Sequence, residues 1–159
     1  MSYLGYLSLE GKSQGLISAG CSSLDSIGNR YQAAHSNEIQ VFSLSNIISR
    51  EQNVHHHAFE FLKPVDKSTP LLAQALDKAE LLKATFKLYR TNQQGSIEHF
   101  FNIVLTDAVL QEFGLHTPHT LNEAGTMPFE RILLRYKSIS WEHKLSNTSA
   151  YSFWEDRVS

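Results

Sequence analysis

The sequence is poor in covalent and rigid fixtures: 159 residues hold a single cysteine, Cys21, and four prolines. One thiol excludes an internal disulfide, so the fold rests on noncovalent contacts. No charge of one sign prevails either, since 14 basic and 16 acidic side chains leave a formal charge of −2. That balance offers no field for phosphate backbones or anionic lipid, and nucleic acid and membrane insertion are not expected. Long apolar runs are missing too, with nothing near the roughly 20 residues that a membrane helix needs. The opening "MSYLGYLSLEGKS" has no basic leader, no unbroken apolar stretch and no small-residue cleavage site, so synthesis in the cytosol without a signal peptide is expected. No repeat, low-complexity tract or composition break divides the chain, and residues 1–159 read as one domain. A chain of this length buries roughly two thirds of the surface its unfolded form exposes.

What is present is alternation with period two, the spacing that puts every second side chain on one face of a strand. "YLGYLSLE" opens this way and ends at the turn "GKSQG"; "EIQVFSLSNII" and "HHHAFEFL" follow, joined by the polar "SREQN", which reads as a protruding loop. "ATFKLYR" and "SIEHFFNIVLTDAVL" flank "TNQQG" as a hairpin, and "FERILLRYKSISWEHKL" sets Ile132, Leu134 and Tyr136 opposite Leu133, Arg135 and Lys137. One segment departs from the rhythm. In "STPLLAQALDKAELL" Ser68 or Thr69 suits the cap, Pro70 the first helical position, and Leu71, Leu72, Ala75, Leu76 and Ala79 share a face at helical spacing. At least six strands before and after one amphipathic helix predict a mainly β protein, a closed or nearly closed β-barrel with an α-helix on its side.

No arrangement of reactive residues stands out, and neither a catalytic residue nor a cofactor is expected. In "NVHHHAFEF" strand geometry points His55 and His57 one way and His56 the other, so at most two share a face. His116 and His119 in "HTPH" fall in a turn, helical H-E-x-x-H and paired C-x-x-C patterns are absent, and no metal site is expected. Gly11, Lys12 and Ser13 imitate the end of a phosphate-binding loop, but Tyr6 stands where its first glycine belongs, so a β-turn is expected. Glu98-His99 and Glu142-His143 point to opposite strand faces, and Asp107 reads as a polar residue closing a strand. Cys21 has no neighbouring base to activate it and reads as a buried thiol. Asn147 in "NTS" matches a glycosylation acceptor but means little without a secretory signal. In the aromatic C-terminal stretch Ile139 and Trp141 share a face, while Tyr151, Phe153 and Trp154 are placed to seal one end of the barrel.

Several segments together resemble the Hcp (haemolysin-coregulated protein) family of the bacterial type VI secretion system. "YLSLEGKSQGLISAG" is similar to the family's opening strand, E-G-K-x-Q-G turn and second strand, and "DSIGNRYQ" with "NEIQVFSLS" to its next two segments. "KPVDKSTPLLAQAL" resembles the lead into the family helix, "LYRTNQQGSIEHFFNIVLTDA" its central hairpin, and "YKSISWEHKLSNTSAYSFWE" its closing strand and tail. The match runs from about Tyr6 to Trp154 in the family's order.

The resemblance implies an antiparallel β-barrel of two packed sheets with one α-helix on its side, and a tube subunit. Six copies would close a ring around a channel, and rings would stack head to tail inside a contractile sheath on a baseplate, capped by a VgrG spike, with small effectors in the channel. It implies a life that begins in the bacterial cytoplasm and ends with secretion or delivery to target cells. It also implies that His55 belongs to a structural strand, with His56 and His57 as local embellishment. The segment Ser49, Arg50, Glu51, Gln52 and Asn53 is shorter than the proline-rich loop of some relatives, and as a polar extension between strands it is the candidate subunit contact. A small-molecule-binding β-barrel is the alternative reading, since an eight-stranded barrel can enclose a cavity.

Overall fold

A computed structural model of the chain describes residues 3–28, 33–122 and 125–154. Asn29 to Gln32 in "DSIGNRYQ" and Glu155 in the tail, both part of the resemblance, lie outside the described residues.

Strand β1 (Tyr3–Gly11) turns Leu7 and Leu9 into the core and returns through a tight turn to β2 (Gly15–Leu16). A short helix α1 (Leu24–Ile27) and a 3-10 turn (Ala33–His35) lead to β3 (Ile39–Val41) and β4 (Ser43–Ser45). Next come β5 (Ile48–Arg50), β6 (Val54–His56), β7 (Phe59–Pro64) and helix α2 (Thr69–Asp77). The remaining strands are β8 (Leu82–Thr91), β9 (Ile97–His116), β10 (Phe129–Arg135), β11 (Ser138–His143) and β12 (Thr148–Phe153).

All pairings among these strands are antiparallel, and β9 organises them. Its first part pairs with β8 on one side and β11 on the other, and its last part with β10. One sheet therefore runs β12, β11, β9, β8, β1, with β2 and β3 along the outer side of β1; the second runs β9, β10, β7, β4. β3 lies on β1 while β4, one residue further on, lies on β7, so this bent segment joins the sheets opposite β9 and closes the ring of strands. The expected barrel of two sheets with a helix on its side is what forms. Phe59, Phe61 and Phe86 fill its middle with ring centroids 4.5 Å and 5.1 Å from Phe86, and each buried side chain of this size contributes about 1.5–3 kcal/mol.

Several local expectations need correction. The segment "FERILLRYKSISWEHKL" is two strands, not one, because the chain leaves the second sheet after Arg135 and enters the first at Ser138. Its parity is as expected, with Ile132, Leu134 and Tyr136 buried. "HHHAFEFL" likewise divides after His56. Asp107 does not close a strand: at φ 51° it forms a bulge within the twenty residues of β9, between Thr106, the last partner of β11, and Val109, the first partner of β10. The bulge carries the strand from one sheet into the other.

Helix α2 is shorter than its apolar spacing suggests. Leu72 and Ala75 are buried, but Leu76 is exposed and Ala79 lies past the helix end at φ 50°. The Ser68 side chain makes no cap; its N–H and hydroxyl both donate to Asp66 Oδ1. The "EGKSQG" turn is held to the far end of the helix segment by Glu80. That carboxylate accepts the N–H of Ser13 at 3.0 Å, the N–H of Gln14 at 2.9 Å and the Gln14 side-chain amide at 2.9 Å. Burial alone would raise the Glu80 carboxyl, but these donors outweigh it and hold the group below its ordinary value. Gly11 is required by that approach, since a Cβ there would sit 2.1 Å from Glu80 Oε2.

Candidate assembly surface

Ser49 to Asn53 form not an unstructured loop but the outer part of a two-stranded hairpin. Ser49 pairs with His55 and Arg50 with Val54, leaving Glu51, Gln52 and Asn53 as the turn. Ser49 through Gln52 are exposed and Asn53 is half-buried, so the structure does bring the five candidate residues together at a projecting tip. Below the tip Ile47 and Ile48 also face outward. The hairpin is its own small sheet, joined to the barrel at its base.

His55 lies in strand β6, as the resemblance implies, but His56 is no embellishment and holds the base of the hairpin. It is buried, with Nδ1 2.8 Å from the Tyr136 hydroxyl and Nε2 2.9 Å from the Ser152 hydroxyl, and it stacks on Trp154 at 5.5 Å. His55 and His57 are exposed, and His57 Nε2 lies 3.2 Å from Ser49 Oγ across the hairpin. Asn46 anchors the other leg by accepting the Trp141 Nε1–H at 2.9 Å. Burial pushes the Tyr136 hydroxyl up to about 12, against a lowering hydrogen bond with Asn46, so it stays protonated beside His56 throughout the neutral range.

The hairpin emerges beneath β11 and β12, and β12 is the outer strand of the first sheet. Its inward residue is Ser152; Tyr151 and Phe153 therefore point outward, Tyr151 with 72% of its surface exposed. Of the three aromatics expected to seal the barrel, only Trp154 does so, packing against Tyr136 at 4.8 Å. At the sheet's other margin the start of β1 extends past β2 and β3, where Tyr3, Leu4 and Phe42 are exposed around a groove that Phe100 and Leu88 also line. Both margins thus carry exposed apolar side chains.

The frame beneath these surfaces contains a buried polar cluster that the sequence reading passed over. Lys63, with no exposed surface, donates to Glu130 Oε2 at 2.9 Å, Asp66 Oδ1 at 3.0 Å and the Pro64 carbonyl at 2.9 Å. The Thr69 hydroxyl donates to Glu130, tying the start of α2 to β10. A signal was there: Lys63 shares strand parity with Phe59 and Phe61, and Glu130 with Ile132 and Leu134, so alternation alone turns both charges inward. Cys21 is buried beside this cluster, its thiol pushed up to about 12 by burial and next by the Asp66 charge. His116 stacks on Phe129, and His119 accepts the N–H groups of Leu121 and Asn122 in the turn expected there.

Residues 6–143 match the family described as type VI secretion system effector, Hcp. The chain belongs to the Hcp family. It is 34% identical over 173 residues to the major exported protein of Pseudomonas aeruginosa, covering 100% of this chain and 99% of that protein. It is also 38% identical over 149 residues to the uncharacterized protein YhhZ of Escherichia coli, covering 93% of this chain but only 37% of YhhZ. Among solved structures, one described as the crystal structure of Hcp protein superposes with a TM-score of 0.91 at 32% identity, covering 98% of this chain and 99% of that one. The secreted protein Hcp3 from Pseudomonas aeruginosa gives 0.89 at 31% identity, covering 98% and 100%. Hcp membership makes this a type VI secretion tube or effector protein, and the β-barrel is the family's fold.

Proposed function

We propose that this chain is the tube subunit of a type VI secretion system and has no catalytic role. Six copies close a ring, rings stack into the inner tube, and small effectors travel in the channel. The VgrG spike, the contractile sheath and the baseplate are its further partners. Residues 1–159 form one domain that is made in the bacterial cytoplasm and leaves through the system it helps build.

The observation that carries this reading is the unlikeness of the two apolar margins of the first sheet. β12 offers Tyr151 and Phe153 beside the Ser49–Asn53 hairpin; β1 offers Tyr3 and Leu4 beside Phe42. Two different sticky margins on one molecule favour head-to-tail contacts, which close into rings when the rotation permits and otherwise extend. A two-fold dimer would instead use one margin twice. The barrel's centre, taken up by three phenylalanine rings, gives a small-molecule-binding barrel no comparable support.

Native mass measurement with electron microscopy tests the proposal. Six chains of 18.0 kDa give a particle of about 108 kDa with an open centre. Tyr151→Glu combined with Phe153→Lys is expected to yield folded monomers. Wild-type protein that stays monomeric at micromolar concentration overturns the reading.

A further inference from the structure

Where β10 turns into β11, a groove of about 580 Å³ opens at one end of the barrel, with Leu81, Val109, Phe153 and Trp154 as its apolar walls. Arg135 and Lys137 flank it. The Arg135 guanidinium lies 5.3 Å over the Trp154 ring, a cation–π contact that holds it at the groove. Two other arginines meet carboxylates: Arg90 reaches Glu98, and Arg131 reaches both Glu60 and Glu112, whereas Arg50 on the hairpin is in no ion pair among the described residues. Among the described residues Arg135 and Lys137 have no such partner. Asp107, held outward on the same rim by its left-handed backbone, adds an acceptor.

We propose that this groove docks an extended acidic segment of a partner protein. An apolar side chain of that segment packs on Trp154 and Phe153, a neighbouring carboxylate meets Arg135 and Lys137, and Asp107 takes an N–H from the segment's backbone. The charges decide the class of ligand. Two cations beside one carboxylate are too few to track a phosphate backbone, whereas a planar guanidinium and a carboxylate match in bidentate fashion. The aromatic wall supplies the area that makes such a contact more than a rim ion pair. The groove shares Phe153 with the β12 margin, so docking requires that Trp154, Val109 and Leu81 stay open when copies associate, whereas the tube reading itself does not depend on the groove.

Fluorescence anisotropy of a labelled peptide, acetyl-Phe-Glu-Asp-Leu-amide, titrated with the intact protein is the test. Saturable binding is expected that weakens with salt and falls by about tenfold or more for the amide version, acetyl-Phe-Gln-Asn-Leu-amide. Arg135→Glu with Lys137→Glu should abolish it, while Lys144→Glu, at the opposite end of β11, leaves it unchanged. Melting temperatures confirm that the variants are folded; should the double reversal unfold, Phe153→Ala provides the same loss of binding through the apolar wall. Equal affinity for both peptides, or no binding at millimolar concentration, overturns the proposal. So does a groove already filled by a second copy, seen as peptide binding that appears only once the protein is diluted to monomers. Ring mass, measured separately, is untouched by any of these results.

Discussion

A lysine ammonium with no exposed surface persists in a β-barrel only because every proton on it has an acceptor. Lys63 meets two carboxylates and a carbonyl within 3.0 Å, and removing it would leave Glu130 and Asp66 buried with nothing to balance them. Lys63→Met is therefore expected to cost about 3–5 kcal/mol in denaturant unfolding, more than the roughly 1–2 kcal/mol of an ordinary surface change. A loss under 1 kcal/mol would show that the cluster adds little to stability. The alkaline limb of stability belongs to two other buried groups. The folded thiol of Cys21 and hydroxyl of Tyr136 both titrate near 12, above their ordinary 9.0 and 10.0. A raised value means that the unfolded chain gives up its proton first, so stability is complete below pH 9 and declines as pH rises toward 12. Cys21→Ala should flatten the early part of that decline, and the native thiol should react with a disulfide reagent only after unfolding.

At the scale of elements, the turn between β1 and β2 depends on one missing side chain. A methyl group at Gly11 would meet Glu80 Oε2 at 2.1 Å, so Gly11→Ala must push the carboxylate away from Ser13 and Gln14. A loss of about 1–3 kcal/mol is expected, with an acid limb that changes shape. Because Glu80 is held below its ordinary 4.5, its contribution is present above that value and lost as pH falls through the lower folded one. The variant should therefore show less of this acid loss, read from melting temperature against pH. Strand parity made much of this architecture legible: the inward sides of β1, β7 and β10 follow from alternation, and the Asn92–Ser96 turn from its glycine. Parity could not say where a strand changes sheets. The break after Arg135 and the Asp107 bulge are decided by partners more than twenty residues away, and so is the choice of His56 as the anchored histidine, whose neighbours are Tyr136, Ser152 and Trp154. The helix ended early for a similar reason: Ala79 and Glu80 are drawn off to meet the β1–β2 turn.

For the whole molecule, the hairpin and the barrel are separable. Ser49 and Arg50 pair across their own two-stranded sheet, while the hairpin's base is held by His56 and Asn46. Replacing residues 49–53 with a short Gly-Ser linker is expected to leave the melting temperature within a few degrees and to weaken ring or tube formation, followed by light scattering and imaging. Unaltered assembly would remove the hairpin from the contact.

The pairing of β1 with β8 has a consequence for synthesis. One side of residues 3–11 is met early by β2 and β3, but the other finds its partner only when residues 82–91 have been made. A ribosome adding roughly 5–20 residues per second leaves the first strand waiting roughly 4–16 s while some 80 more residues are added. Throughout that interval Leu4, Leu7 and Leu9 sit on a strand with one side still unclaimed, in a cell that would be making many identical nascent chains at once. Chaperone demand for this protein should therefore centre on its first dozen residues.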